Sequence, residues 1–187
     1  MQIEEFSLER IQSLYENTVE LNLSDSGVHP MTLRELLSVE ERETLADIEL
    51  GYGWTSGSVE LREAIAAQYV GRTSDEVLVT NGSAEANFLL VTTLVEPGDE
   101  IVVVVPNYMQ IAGWARAIGA TVKVVPLRES LDWQVDVDEL ERAVTPRTRL
   151  ITLCTPNNPT GAVTPLETMH AIVDVAARHG VWLHADE

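Results

Sequence analysis

The stretch Cys154-Thr155-Pro156-Asn157-Asn158-Pro159-Thr160-Gly161 lies between two apolar runs, Leu150 to Cys154 and Val181 to Ala185, and its reading decides the fold. An apolar run of strand length, a turn rich in Pro and Asn, a helical stretch and a second apolar run spell a βαβ unit, because parallel neighbours need a long crossover. The polar residues fall just past the strands. Ligands of open α/β sheets collect outside the carboxyl ends of the strands, so Asn158 and Asp186 are expected to face one crevice.

Working outward, the same alternation recurs upstream: strand Val77 to Thr80, helix Ala84 to Val95, strand Ile101 to Val105, helix Met109 to Ile118, strand Thr121 to Pro126 and helix Val137 to Ala143. Strands alternating with helices predict a mostly parallel, doubly wound α/β sheet. Pro97-Gly98-Asp99, Gly119 and Gly180 mark helix ends. Thr164-Pro165-Leu166-Glu167 predicts a capped start to the last helix, with Pro at its first position. Nearer the N-terminus, Ile11, Leu14, Tyr15 and Val19 recur at helical spacing, and Asn22 to Met31 reads as a loop. Thr32 with Glu35 and Ser38 with Glu41 form capping boxes, so residues 33–46 hold one helix or two short ones, and a further helix is expected over Val59 to Tyr69. Gly51-Tyr52-Gly53-Trp54-Thr55-Ser56-Gly57 has glycines at suggestive spacing. No apolar strand precedes them, so they read as a flexible loop rather than a dinucleotide fingerprint.

Composition narrows the function. With 30 acidic against 12 basic residues the formal charge is −18, and such a surface repels phosphate backbones and anionic lipid, which excludes nucleic-acid and membrane-surface roles. The longest apolar runs are far short of the roughly 20 residues that span a bilayer. Glu4, Glu5 and Glu9 stand where an export signal would carry positive charge. The single cysteine, Cys154, has no internal disulfide partner, and a reducing, cytoplasmic setting is expected.

Four strand ends carry candidate chemistry. Asn81-Gly82-Ser83-Ala84 joins a strand to a helix start, where exposed N–H groups and the helix dipole suit a phosphate, or else it is an ordinary cap. Tyr108, in Pro106-Asn107-Tyr108, either stacks on a planar ligand or covers the core. Asn158 offers an amide, and Asp186 a carboxylate that needs a partner at the end of a buried strand. Together they describe a pocket for a flat, phosphorylated heterocycle. The residues name no metal site.

The ordered series Tyr52, Gly57, Leu61-Arg62, Asn81-Gly82-Ser83-Ala84, Pro106-Asn107-Tyr108, Asn157-Asn158-Pro159-Thr160-Gly161 and Asp186-Glu187 resembles the class I/II aminotransferases, pyridoxal-phosphate enzymes of fold type I, from about Asn22 onward. The resemblance implies that Gly82, Ser83 and Ala84 bind the cofactor phosphate through backbone N–H groups, that Tyr108 stacks on the pyridine ring, and that Asn158 donates to the phenolate oxygen. It implies that Asp186 pairs with the pyridine nitrogen, and that Tyr52 reaches the phosphate of a second subunit in a homodimer. Gly27 matches the substrate-facing loop, although Ser24-Asp25-Ser26-Gly27-Val28-His29-Pro30 departs from the family's usual sequence there. The implied substrates are an amino acid and a 2-oxo acid. Elimination, cyclisation or oxidation of an amino acid is the alternative chemistry, and a non-catalytic remnant the alternative role. The implied domains are 1–50, part of a small domain, and 51–187, the first half of the cofactor-binding large domain.

One residue is conspicuously missing. The family holds its cofactor through a Schiff-base lysine that follows the aspartate strand, whereas the only lysine here is Lys123, in the strand Thr121 to Pro126. Lys123 is read as structural, the chain is expected to be an N-terminal portion of the enzyme that is inactive alone, and its apolar sheet faces are expected to lie uncovered.

Overall fold

Glu100-Ile101-Val102-Val103-Val104-Val105 is apolar on both sides of the strand it forms, and only a sheet covered on both faces can bury such a run. The computed structural model, which describes residues 3–24 and 27–187, provides that sheet. Strands β1 (Glu100–Val105), β2 (Thr121–Pro126), β3 (Thr148–Cys154) and β4 (Trp182–Asp186) pair parallel in the order β2-β1-β3-β4. Eight α-helices are formed among the described residues: α1 (Ser7–Tyr15), α2 (Leu33–Leu36), α3 (Val39–Ala46), α4 (Val59–Ala66), α5 (Gly82–Leu94), α6 (Gln110–Ile118), α7 (Val137–Ala143) and α8 (Leu166–His179).

Alternate residues of β1 enter different cores. Ile101 and Val103 pack with Val91 of α5 and with Ile111, Ala112 and Ala115 of α6, while Val102 and Val104 pack with Leu140 of α7 and with Ile172 and Val175 of α8. The chain winds from β1 to β2 through α6, then back across the sheet through α7 and α8. Crossovers of one hand must change faces when the winding direction reverses, which yields the doubly wound arrangement. The reversal falls between β1 and β3, so the carboxyl ends of those strands form the topological switch point.

The described residues divide into two compact units, 3–6 with Asn81–Glu187, and those within Ser7–Thr80. In the second unit both capping boxes form, and they start α2 and α3 as two short helices. Among its described residues Ala66 alone is a buried apolar side chain. The backbone at Gly57 has φ +96°, and a Cβ there would overlap the Val79 side chain.

The structure corrects three expectations. Residues 77–80 run extended but form no strand: Val79 N–H bonds the Ser56 carbonyl at 3.0 Å, and a strand exists only where a neighbour completes its ladder. The last helix starts at Leu166 with Pro165 at the cap position, and since a proline ring has no acceptor there is no side-chain cap bond; Thr164 N–H is held on the preceding turn by Thr155 Oγ1 at 3.0 Å. The sheet faces are covered only at the centre: β1 and, apart from Arg149, most of β3 are buried, whereas the edge strands β2 and β4 leave apolar side chains such as Val124 and Trp182 exposed, so the expectation of uncovered faces holds for the edges alone. Of the loop Asn22 to Met31, Asp25 and Ser26 lie outside the described residues.

Candidate functional site

Past β1 the chain turns through Pro106-Asn107-Tyr108, and two side-chain bonds fix the turn. Asn107 Nδ2 donates to the Val104 carbonyl at 3.1 Å, and Tyr108 N–H donates to Asn107 Oδ1 at 2.7 Å. The Tyr108 ring meets Phe6 edge-on, with centroids 5.0 Å apart at 60°.

The turn after β3 is tied to this one by Asn157. Only 5% exposed, Asn157 donates from Nδ2 to the Pro106 carbonyl at 3.0 Å and accepts at Oδ1 from the Thr160 hydroxyl at 2.7 Å and the Thr160 N–H at 3.2 Å. Its backbone N–H donates to the Ala162 carbonyl at 2.8 Å, and its carbonyl accepts from Gly161 N–H at 2.7 Å. A buried carboxamide whose donor and acceptor are both engaged stabilises rather than costs. Asn158 follows, half-buried and set on this clasp.

Asp186 ends β4 opposite Cys154, and its carbonyl accepts from Thr155 N–H at 3.0 Å. His184, on the same face two residues earlier, has Nδ1 2.9 Å from Thr152 Oγ1. Burial pushes the His184 pKa below its ordinary value, and the Asp186 charge acts the other way. Burial also raises the Cys154 thiol; the Asn158 backbone N–H opposes this and the Asp186 charge adds to it.

The start of α5 joins the same sheet edge through Gln110, the first residue of α6, whose Nε2 donates to the Ala84 carbonyl at 3.2 Å. Asn81 holds the cap position of α5 but makes no side-chain cap bond; its N–H and Nδ2 both turn to Glu85 Oε2, at 2.6 and 3.1 Å. Gly82 has φ +77°, which favours glycine, and nothing lies within 4 Å of where a Cβ would stand. An exposed helix start with a glycine, where the backbone can be approached closely, suits an anion.

Gly82, Ser83, Ala84, Tyr108, Asn158 and Asp186 thus sit on segments linked by hydrogen bonds at one sheet edge. Tyr52 and Gly27 lie in the Ser7–Thr80 unit, both exposed. Lys123 is elsewhere: its Nζ is 2.7 Å from Glu100 Oε2 and donates to the Ala143 carbonyl at 3.2 Å. Glu100, 2% exposed, also takes Arg147 Nη2 at 2.5 Å and the Thr145 hydroxyl at 2.5 Å. Asn157 and Gln110 are not singled out by the sequence. The spacing of Asn157 to Thr160 is a visible side-chain turn signal, whereas the reach of Gln110 to a residue 26 positions away has no local signature.

Among the described residues no helix is long and apolar enough to cross a membrane, and no cluster of three or more His, Cys, Asp or Glu is placed to hold a metal ion. Comparison with known proteins matches residues 20–187 to the family described as aminotransferase class I and II. The aspartate/prephenate aminotransferase of Thermus thermophilus is 34% identical over 151 residues, 78% of this chain and 39% of that protein. The capreomycidine synthase of Streptomyces vinaceus is 34% identical over 160 residues, 83% of this chain and 41% of its own. A solved PLP-dependent aminotransferase from Streptococcus suis superposes with a TM-score of 0.93 at 29% identity, covering 100% of this chain and 52% of that one. The chain spans about two fifths of the length of these curated relatives, and with the family match over nearly all of it, it belongs to the class I and II aminotransferase family.

Proposed function

We propose that the protein acts as a pyridoxal-phosphate-dependent aminotransferase, moving an amino group between an amino acid and a 2-oxo acid. The observation that carries this reading is the exposed start of α5 at Gly82, held by Gln110 beside the turn that carries Tyr108. When bound, the cofactor supplies an electron sink for charge developing at the substrate α-carbon. Gly82, Ser83 and Ala84 hold its phosphate through backbone N–H groups, and Tyr108 lies against the ring. Asn158 donates to the phenolate oxygen. Asp186 accepts a hydrogen bond from the protonated pyridine nitrogen and keeps that proton in place, since a neighbouring carboxylate favours the charged form.

In this reading residues 1–50 belong to a small domain and 51–187 to the first half of the cofactor-binding domain. Tyr52 serves the phosphate of a second subunit in a cytoplasmic homodimer, and Gly27 faces the substrate. The 187 residues alone do not turn over substrate, because the ammonium of their one lysine is committed to Glu100. Another outcome at the amino acid, such as cyclisation, is the second reading; a synthase among relatives of equal identity supports it.

Equilibrium dialysis against pyridoxal phosphate tests the proposal. Binding is expected in the wild-type protein, weakened by both Gly82→Val and Asp186→Ala. Absence of binding, or binding indifferent to both substitutions, refutes it.

A further inference from the structure

We infer that Gln110 is a positioning residue that sets the span between the anion-binding start of α5 and the Tyr108 ring, so that a ligand's phosphate and ring are held at once. The inference rests on the cofactor reading above. Gln110 stands two residues after Tyr108 and opens α6, and its Nε2 reaches the Ala84 carbonyl at 3.2 Å, in the first turn of α5. Its Oε1 accepts from Asn87 Nδ2 at 3.3 Å. Asn87 lies one turn further along α5 and is 3% exposed, so its amide needs a partner inside the protein. That requirement fixes which way the Gln110 carboxamide faces: oxygen toward Asn87, nitrogen toward Ala84. A single side chain is therefore bonded to α5 at two points, while its own backbone is continuous with the Tyr108 turn.

Registration of this kind matters only to a ligand that uses both half-sites. A phosphate alone needs the α5 N–H groups, and a bare ring needs Tyr108 with the edge residues Asn158 and Asp186. A ring bearing a phosphate gains from both at once because the second contact becomes intramolecular, and that gain depends on the spacing between the half-sites. Gln110→Met keeps the length of the side chain and removes both hydrogen bonds.

The test measures the affinity of the wild-type protein, Gln110→Met and Asn87→Ala for pyridoxal phosphate, pyridoxal and inorganic phosphate separately. Gln110→Met is expected to weaken pyridoxal phosphate about tenfold, the scale of one lost hydrogen bond, while pyridoxal and inorganic phosphate change less than about twofold. Asn87→Ala, which frees the carboxamide to turn, is expected to follow in the same direction by a smaller factor. An unchanged ratio of pyridoxal phosphate to pyridoxal affinity in Gln110→Met overturns the inference, as does an equal loss for all three ligands, which marks a general structural role. A wild-type protein with no preference for pyridoxal phosphate over pyridoxal overturns the cofactor reading and this inference with it.

Discussion

Lys123 Nζ lies 2.7 Å from Glu100 Oε2, and Glu100 opens the strand whose other end leads into Pro106 and Tyr108. The lysine is thus a partner of the buried acid that opens β1, at the opposite end of that strand from Tyr108. The Lys123 hydrogen bond, followed by that of the Thr145 hydroxyl, lowers the Glu100 pKa from 4.5 to about 2 against the opposing effect of burial. The resulting stability is complete above 4.5 and is lost as the pH falls through about 2. Glu100→Gln is expected to cost about 3 kcal/mol at neutral pH, the scale for breaking a buried ion pair. Denaturant unfolding across the acid range checks both points: the gap between wild type and variant narrows as Glu100 takes up its proton, and a gap independent of pH contradicts the assignment.

The same pairing bears on covalent chemistry. Borohydride trapping of the protein with pyridoxal phosphate, followed by peptide mapping, is expected to leave Lys123 unlabelled. Stoichiometric labelling of Lys123, abolished by Lys123→Arg, runs against its structural role.

Asn157 and Pro106 give a third prediction. Asn157→Ala strands the Pro106 carbonyl and the Thr160 hydroxyl and is expected to cost about 2–3 kcal/mol. Asn157→Asp retains the acceptor for Thr160 but loses the donor to Pro106, and is expected to fall between wild type and Asn157→Ala. Thermal unfolding of the three proteins orders them, and equal midpoints remove the clasp from the account.

His184 and Asp186 share one face of β4, and the Asp186 charge partly offsets the burial that lowers the His184 pKa. Removing that charge in Asp186→Asn is expected to lower the His184 pKa further, as read from its imidazole signal in an NMR titration. A rise after Asp186→Asn, or no change, means the carboxylate does not act on this ring. Because the folded-state pKa lies below the unfolded one, this histidine's contribution to stability is present above its ordinary 6.5 and declines as the pH drops below it.

Gly57 combines φ +96° with a Val79 side chain standing where a Cβ would go. Gly57→Ala is expected to destabilise the Ser7–Thr80 unit by about 2 kcal/mol, since left-handed backbone alone costs an L-residue about 1–2 kcal/mol. Hydrogen exchange confined to that unit reads the effect, and unaltered protection there contradicts it.

The sheet was legible because its central strands are buried on both faces, which writes Ile101 to Val105 as an unbroken apolar run and puts Leu150, Ile151 and Leu153 close together in β3. Helix starts marked by Thr32 and Ser38 were legible from local cap chemistry, which needs no tertiary partner. Residues 77–80 mislead for the opposite reason: they carry strand-forming residues, but a strand is a property of two segments. At the sheet edge, Tyr108, Asn158 and Asp186 stand out by following apolar runs. Asn157 hides beside Asn158: its spacing to Thr160 is a local turn signal, but its donor bond to the Pro106 carbonyl, 51 residues away, is not written locally. Gln110 is an ordinary first-turn residue until α5 is packed against it, and the partner of Lys123 lies on a neighbouring strand.

The closed hydrogen bonding of the 157–161 turn has a mechanical consequence. With its backbone folded onto itself through Gly161 and Ala162, and its side chain anchored to Pro106, it behaves as a fixed jamb rather than a hinge. On the proposed reading, a ligand at this edge would meet a β3 side held in place by hydrogen bonds and an exposed stretch over Gly82 to Ala84.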